Sequence, residues 1–204
     1  MKPLPLSLDQ RYKLHVSEWK DCNRCELALT RGRVVIGRGA LPADIVFIGE
    51  APGASENVVG IPFVGPAGKL FDQIITRAIP DGAFTYAITN LVGCIPRNDE
   101  GNKIGQPDAD HIEACSSRLK EFVEMANPKL IVRVGKLATD FTQPMYKHTV
   151  KFKSGIRMAS IDHPAHILRM TIAQQGMATQ RAVVVIKNAL EELGEGVTDS
   201  DIPF

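Results

Sequence analysis

Short apolar runs alternate with longer amphipathic stretches along this chain. Asp44–Gly49 (DIVFIG) is a compact β-branched run of the buried-strand type. Phe84–Leu91 (FTYAITNL) predicts a second strand, Lys129–Val134 (KLIVRV) a third ending at Gly135, and Gly155–Ile161 a fourth. Between them, apolar residues recur at helical spacing over residues 7–29, Lys69–Ala78, His111–Met125 and Pro164–Leu193, the last with a break expected near Gly176. Asn98–Asp110 is polar and reads as a loop. Strands alternating with helices predict a three-layer αβα fold around a central four-stranded parallel sheet. In such sheets ligands bind beyond the carboxyl ends of the strands. The segments after Gly49, after Ile88 and after Ile161 lie at such ends and are the richest in candidate chemistry.

Composition narrows this picture. The 204 residues suffice for one α/β domain, expected over residues 1–193, followed by an acidic tail over 194–204. Hydrophobic residues make up 44% and charged residues 23%, an ordinary globular balance. No apolar run approaches the roughly 20 residues of a membrane helix, so no membrane partner is expected. The opening MKPLPLSLDQRYKL has no secretory h-region, which points to a cytoplasmic protein. The net charge of +1 excludes little, but Tyr146–Arg157 is basic and Glu191–Asp201 carries only acidic charges.

The chemistry sits in four places. Glu50–Gly68 is rich in glycine and proline and contains Glu50, Glu56 and Phe63. A βα loop needing glycines for its turns would explain the glycines but not two carboxylates and an aromatic ring. No GxGxxG or GK[ST] pattern is present. Asn90 closes the second strand, where an Asn often serves as a turn residue. His163 precedes a proline at the end of the fourth strand. Cys22, Cys25, Cys94 and Cys115 are the four cysteines; four thiolates suit either zinc or iron–sulfur. A zinc ribbon would more often show a second CxxC, and a redox CxxC would follow a strand.

GEAPGxxE followed by GxPFVGxAG resembles the first motif of family 4 uracil-DNA glycosylases. CNRCELALTR, ITNLVGC and HPAHILR extend the resemblance over residues 10–170. It implies that Phe63 stacks on a flipped uracil beside Gly49. It places Glu50 near the sugar, orienting or activating water or stabilising an oxocarbenium-like state. It places Glu56 near uracil C5, hindering thymine's methyl group; a solvated loop carboxylate is the plainer reading. Asn90 becomes the base-reading residue. One amide can satisfy the N3–H donor and O4 acceptor of uracil, and cytosine presents the reverse pattern. His163 would donate to uracil O2 as charge develops on the leaving base. The four cysteines would ligate a [4Fe–4S] cluster of structural role. Ile167 and Leu168 can wedge into the base stack or sit in the core as a helix start. Arg169, Lys151, Lys153 and Arg157 are candidate phosphate contacts. The expected substrate is uracil-containing DNA, cut by a monomer.

Two departures stand out. The Cys94–Cys115 gap is longer than in the family, with extra residues around Asp99–Gln106, and Cys94-Ile95-Pro96-Arg97-Asn98 replaces the usual CRPPxNR. The insertion lacks the Arg-Arg-Ile-His pattern of a related branch that crosslinks to DNA, so turnover is expected. The final Asp201-Ile202-Pro203-Phe204 resembles the acidic tip of bacterial single-stranded DNA-binding proteins. That resemblance implies docking to replication or repair proteins that capture such a tip. Two other classes compete: a catalytically weak or DNA-crosslinking binding module, and an electron-transfer protein. Neither needs Glu50, Phe63, Asn90 and His163 together.

Overall fold

A computed structural model describes residues 5–97, 103–143 and 150–194. The tail over 195–204 and half of the insertion, residues 99–102, lie outside the described residues.

The chain opens with α1 (Leu8–Trp19). Ser7 caps it reciprocally: Gln10 N–H donates to Ser7 Oγ and Ser7 N–H to Gln10 Oε1. A short 3₁₀ turn, Glu26–Leu29, follows the CxxC segment, which therefore lies between helices rather than within one. The strands are β1 (Arg38–Gly39), β2 (Ile45–Gly49), β3 (Tyr86–Asn90), β4 (Leu130–Val134) and β5 (Arg157–Ile161). Their order across the sheet is β1-β3-β2-β4-β5. The last four are parallel, as the apolar runs predict. The short β1 is an addition: it pairs antiparallel with β3 and extends the sheet to five strands. Two residues give no periodic signal, so sequence reading has nothing to detect there.

Burial on both faces explains the unbroken apolar runs. Along β2, Ile45 and Phe47 point to one face and Val46 and Ile48 to the other, and all are fully buried. The first face packs on α3 (Pro66–Ala78) and α7 (Ile172–Gly194), and the second on α4 (Ala109–Ala126) and Trp19 of α1. Phe47 meets Phe71 edge-on at 5.2 Å between ring centroids and Tyr86 at 6.0 Å. The short helices α2 (Ala54–Val59), α5 (Lys136–Asp140) and α6 (Pro164–Ile167) follow the carboxyl ends of β2, β4 and β5.

The break expected near Gly176 falls elsewhere. The helix runs through Gly176, and the interruption lies between α6 and α7, over residues 168–171. Thr171 N–H donates to Gln174 Oε1 at 3.1 Å, a local cap that restarts the helix. No described helix is long and apolar enough to cross a membrane.

Phe47→Ala should lower the unfolding free energy by about 3–5 kcal/mol, because three rings lose their shared contact. Urea denaturation of both forms measures this.

Candidate active site at the strand ends

A cleft of about 560 Å³ opens beyond the carboxyl ends of β2, β3 and β5. Glu50, Phe63, Asn90, His163 and Arg169 line it. Three loops from three strands thus bring these residues together, as a parallel sheet favours.

The glycine-rich segment is folded around Glu56. Its carboxylate accepts from Gly53 N–H at 3.0 Å and from Val64 and Gly65 N–H at 2.8 Å each. These bonds clasp the second half of the segment against the first. Phe63, one residue before Val64, is held at φ 54°, a left-handed conformation unusual for a bulky residue. Glu56 lines the cleft, and both its oxygens accept backbone N–H bonds that organise the loop. It is buried, so it is not a solvated loop carboxylate.

Phe63 lies against Phe71, 4.7 Å between centroids, and stacks on His163 at 5.9 Å with planes 28° apart. Gly49 makes room for this closure. A Cβ there would stand 2.4 Å from Asn90 Oδ1 and 2.6 Å from Phe63 Cζ. Gly49 therefore shapes the wall through what it lacks.

Asn90 ends β3 and is 2% exposed. Its Oδ1 is shielded from solvent and has no hydrogen-bond partner. Such an orphan acceptor typically costs about 1–3 kcal/mol. Leu91 and Val92 N–H donate to the carbonyls of Gly49 and Glu50, which fixes the Asn90 and Glu50 turns to each other.

Glu50 and His163 are the titratable pair. Burial raises the Glu50 carboxyl, and Arg169 acts in the opposite sense. Burial pushes the His163 imidazole down to about 4, with Arg169 and His166 adding to the effect. His163 is therefore neutral at physiological pH. Ala165 N–H donates to its Nδ1 at 3.1 Å, so the ring proton resides on Nε2.

The other candidate residues separate. Ile167 is fully buried in the core beside α7 and cannot act as a wedge. Leu168 is 39% exposed and can. Arg169 stands at the cleft. Lys151, Lys153 and Arg157 do not. They lie where the chain enters β5, next to Asn127 and Pro128, at the opposite end of the strands from the cleft. Arg157 is also paired with Glu192 at 2.7 Å. The direction of β5 puts its first residue and its last on opposite sides of the fold, a fact that charge alone does not carry.

The end of the insertion is a finding sequence reading missed. Ile104 bridges Arg97, Gly105 N–H donates to Pro96 O at 2.9 Å, and both residues line the cleft. Arg118 was missed as well. It occupies the apolar stripe of α4 with Ile112, Cys115, Leu119 and Phe122, and a cation on such a stripe is the available signal.

All four cysteines are free thiols; Cys94 and Cys115 are buried. The Cys94 thiol is pushed up to about 12, chiefly by burial, against the opposing charge of Arg31 and with Cys115, Cys25 and Cys22 adding to it. Among the described residues, no group of three or more His, Cys, Asp or Glu side chains is arranged to hold a metal ion.

This fold and cleft are those of a known class. The profile of the Uracil DNA glycosylase superfamily matches residues 36–189, and the chain belongs to that family. A Type-4 uracil-DNA glycosylase of Saccharolobus solfataricus is 38% identical over 128 residues, 63% of this chain and 57% of that relative. A Type-4 uracil-DNA glycosylase of Thermotoga maritima is 33% identical over 158 residues, 74% of this chain and 79% of that one. The chain thus spans less than two thirds of the first relative and more than three quarters of the second. The crystal structure of Pedobacter heparinus SMUG2 shares the fold, with a TM-score of 0.53 at 15% identity over 75% of this chain and 76% of that one.

His163 should titrate near 4 rather than near 6.5, with the neutral ring protonated at Nε2. Long-range ¹H–¹⁵N correlation spectra across a pH series read both properties. A ring that charges near 6.5 would contradict the assignment.

Proposed function

We propose that this protein is a DNA repair glycosylase that takes uracil out of the DNA stack and hydrolyses its N-glycosidic bond, leaving an abasic site. The observation that carries this reading is the orphan Oδ1 of Asn90 beside the Phe63 ring. An N–H donor in the plane of a stacked base supplies the missing partner, and uracil N3–H is such a donor. Cytosine offers an acceptor there and leaves Oδ1 unpaired, which favours uracil by about 1–3 kcal/mol. The names of the Type-4 relatives point the same way.

The remaining groups fit the reaction. A base on Phe63 lies against an aromatic face that needs no hydrogen bond. His163 Nε2–H donates to uracil O2, a bond that strengthens as the leaving base becomes an anion. The neutral ring suits this task, since it gives a hydrogen bond without giving up its proton. Glu50 serves the sugar, orienting water and accepting its proton, and its raised pKa makes it the stronger base. Leu168 fills the vacated stack and Arg169 holds a phosphate.

The cysteines support a [4Fe–4S] cluster held by Cys22, Cys25, Cys94 and Cys115. The support is the chemistry of the donor set: four free thiols, two of them buried, with Cys115 Sγ accepting from Gly93 N–H at 3.3 Å. When bound, the cluster supplies a structural tie between the N-terminal segment and the chain after β3. The protein works inside the cell alongside DNA, as a monomer. Its Asp201–Phe204 segment recruits replication or repair proteins that bind acidic, Phe-ended tips.

Incubation with a uracil-containing oligonucleotide followed by alkali should give strand cleavage, with none for thymine. Glu50→Ala and Asn90→Ala should each lower the single-turnover rate by about 10²–10³-fold. The wild-type rate should show no gain as pH falls through 6.5, because His163 stays neutral to about 4, and should decline in acid as Glu50 takes up its proton. An uncut oligonucleotide at high enzyme concentration would remove the proposal. Separately, removing Ile202–Phe204 should abolish capture by proteins that bind such tips and leave excision unchanged. Capture that survives the deletion rules out the recruiting role.

A further inference from the structure

A fully buried cation stands between the cysteines and the end of β3. Arg118 of α4 is 0% exposed. Its guanidinium has five N–H donors. Five acceptors meet them: Cys115 Sγ at 3.5 Å, Ile36 O at 3.1 Å, Thr89 Oγ1 at 3.1 Å, Leu91 O at 3.3 Å, and Asn90 O. None of these is a carboxylate. A buried guanidinium with no carboxylate among its hydrogen-bond partners is held by the full set of its hydrogen bonds, so losing any of them is costly.

We propose that Arg118 is a positioning residue that ties the cysteine cluster to the base-reading end of β3. One planar fork grips the carbonyls of Asn90 and Leu91 on one side and the Cys115 sulfur on the other. Leu91 and Val92 in turn hold the carbonyls of Gly49 and Glu50. Cys115 is one of the four thiols that would hold the cluster, so a bound cluster would fix the sulfur end of this fork. Arg118 keeps Asn90 and Glu50 in register. A lysine preserves the charge but has no fork with which to bridge these acceptors. The consequence for base reading rests on the proposed function; the tie itself does not.

The test uses the iron-loaded protein and Arg118→Lys, read by hydrogen exchange, visible absorbance and kinetics. In Arg118→Lys, amide exchange should accelerate over Asn90–Gly93 while the β4 amides stay protected. With cluster absorbance retained, kcat on a uracil oligonucleotide should fall about ten- to hundredfold, the range for second-layer partners of a metal site, with KM little changed. Stripping iron from the wild type with a chelator should accelerate exchange over the same four residues, which decides the matter even where the variant fails to fold. Unchanged exchange at Asn90–Gly93, after iron removal or in a folded variant, overturns the tie. A wild type that folds, binds iron and leaves uracil untouched overturns the proposed function instead, and the exchange result still stands.

Discussion

The site depends on one buried carboxylate. Glu56 accepts three backbone N–H bonds from two stretches of the glycine-rich segment. Charge-assisted bonds of this kind are among the stronger ones a loop can make. They hold the backbone where Phe63 must adopt a left-handed conformation that an isolated chain would avoid. The ring then meets both Phe71 and His163. Without the clasp, Phe63 would relax and the cleft would lose the wall on which a base can lie.

Burial and one cation set the electrostatics of the cleft. Desolvation alone pushes both Glu50 and His163 toward neutrality. Arg169 disfavours a second positive charge on His163 and favours a negative one on Glu50. The same guanidinium thus supports an anionic base and a neutral hydrogen-bond donor a few residues from itself. That combination suits the proposed reaction, in which the sugar would gain positive character and the departing base negative charge.

The relation between the cysteines and the cleft follows from packing. Only three residues, Leu91, Val92 and Gly93, separate Asn90 from Cys94, and α4 brings Cys115 and Arg118 against that stretch. The cysteines and the proposed base-reading residue, on such a short tether, share their supporting bonds. The departure from the family pattern after Cys94 lies beside this junction, with Ile104 and Gly105 at the cleft mouth.

Much of this was legible in the chain. Continuous apolar runs such as VFI in β2 and LIV in β4 can only be strands buried on both faces, which implies the layered parallel sheet and its ligand edge. The residues with unusual chemistry for their local context, Glu50, Phe63, Asn90, His163 and the cysteines, could be singled out by type and position. What tertiary structure decided was partnership and direction. Glu56 turned inward to backbone, and Ile167 entered the core while Leu168 stayed outside. The lysines before β5 fell at the far end of the strands, because a strand carries its two ends to opposite sides. Arg118 gained five acceptors, four of them from two distant segments. Local pattern fixes which residues can be buried, since that follows from the period of each element. Which groups then pair is settled only when elements far apart in sequence close on one another.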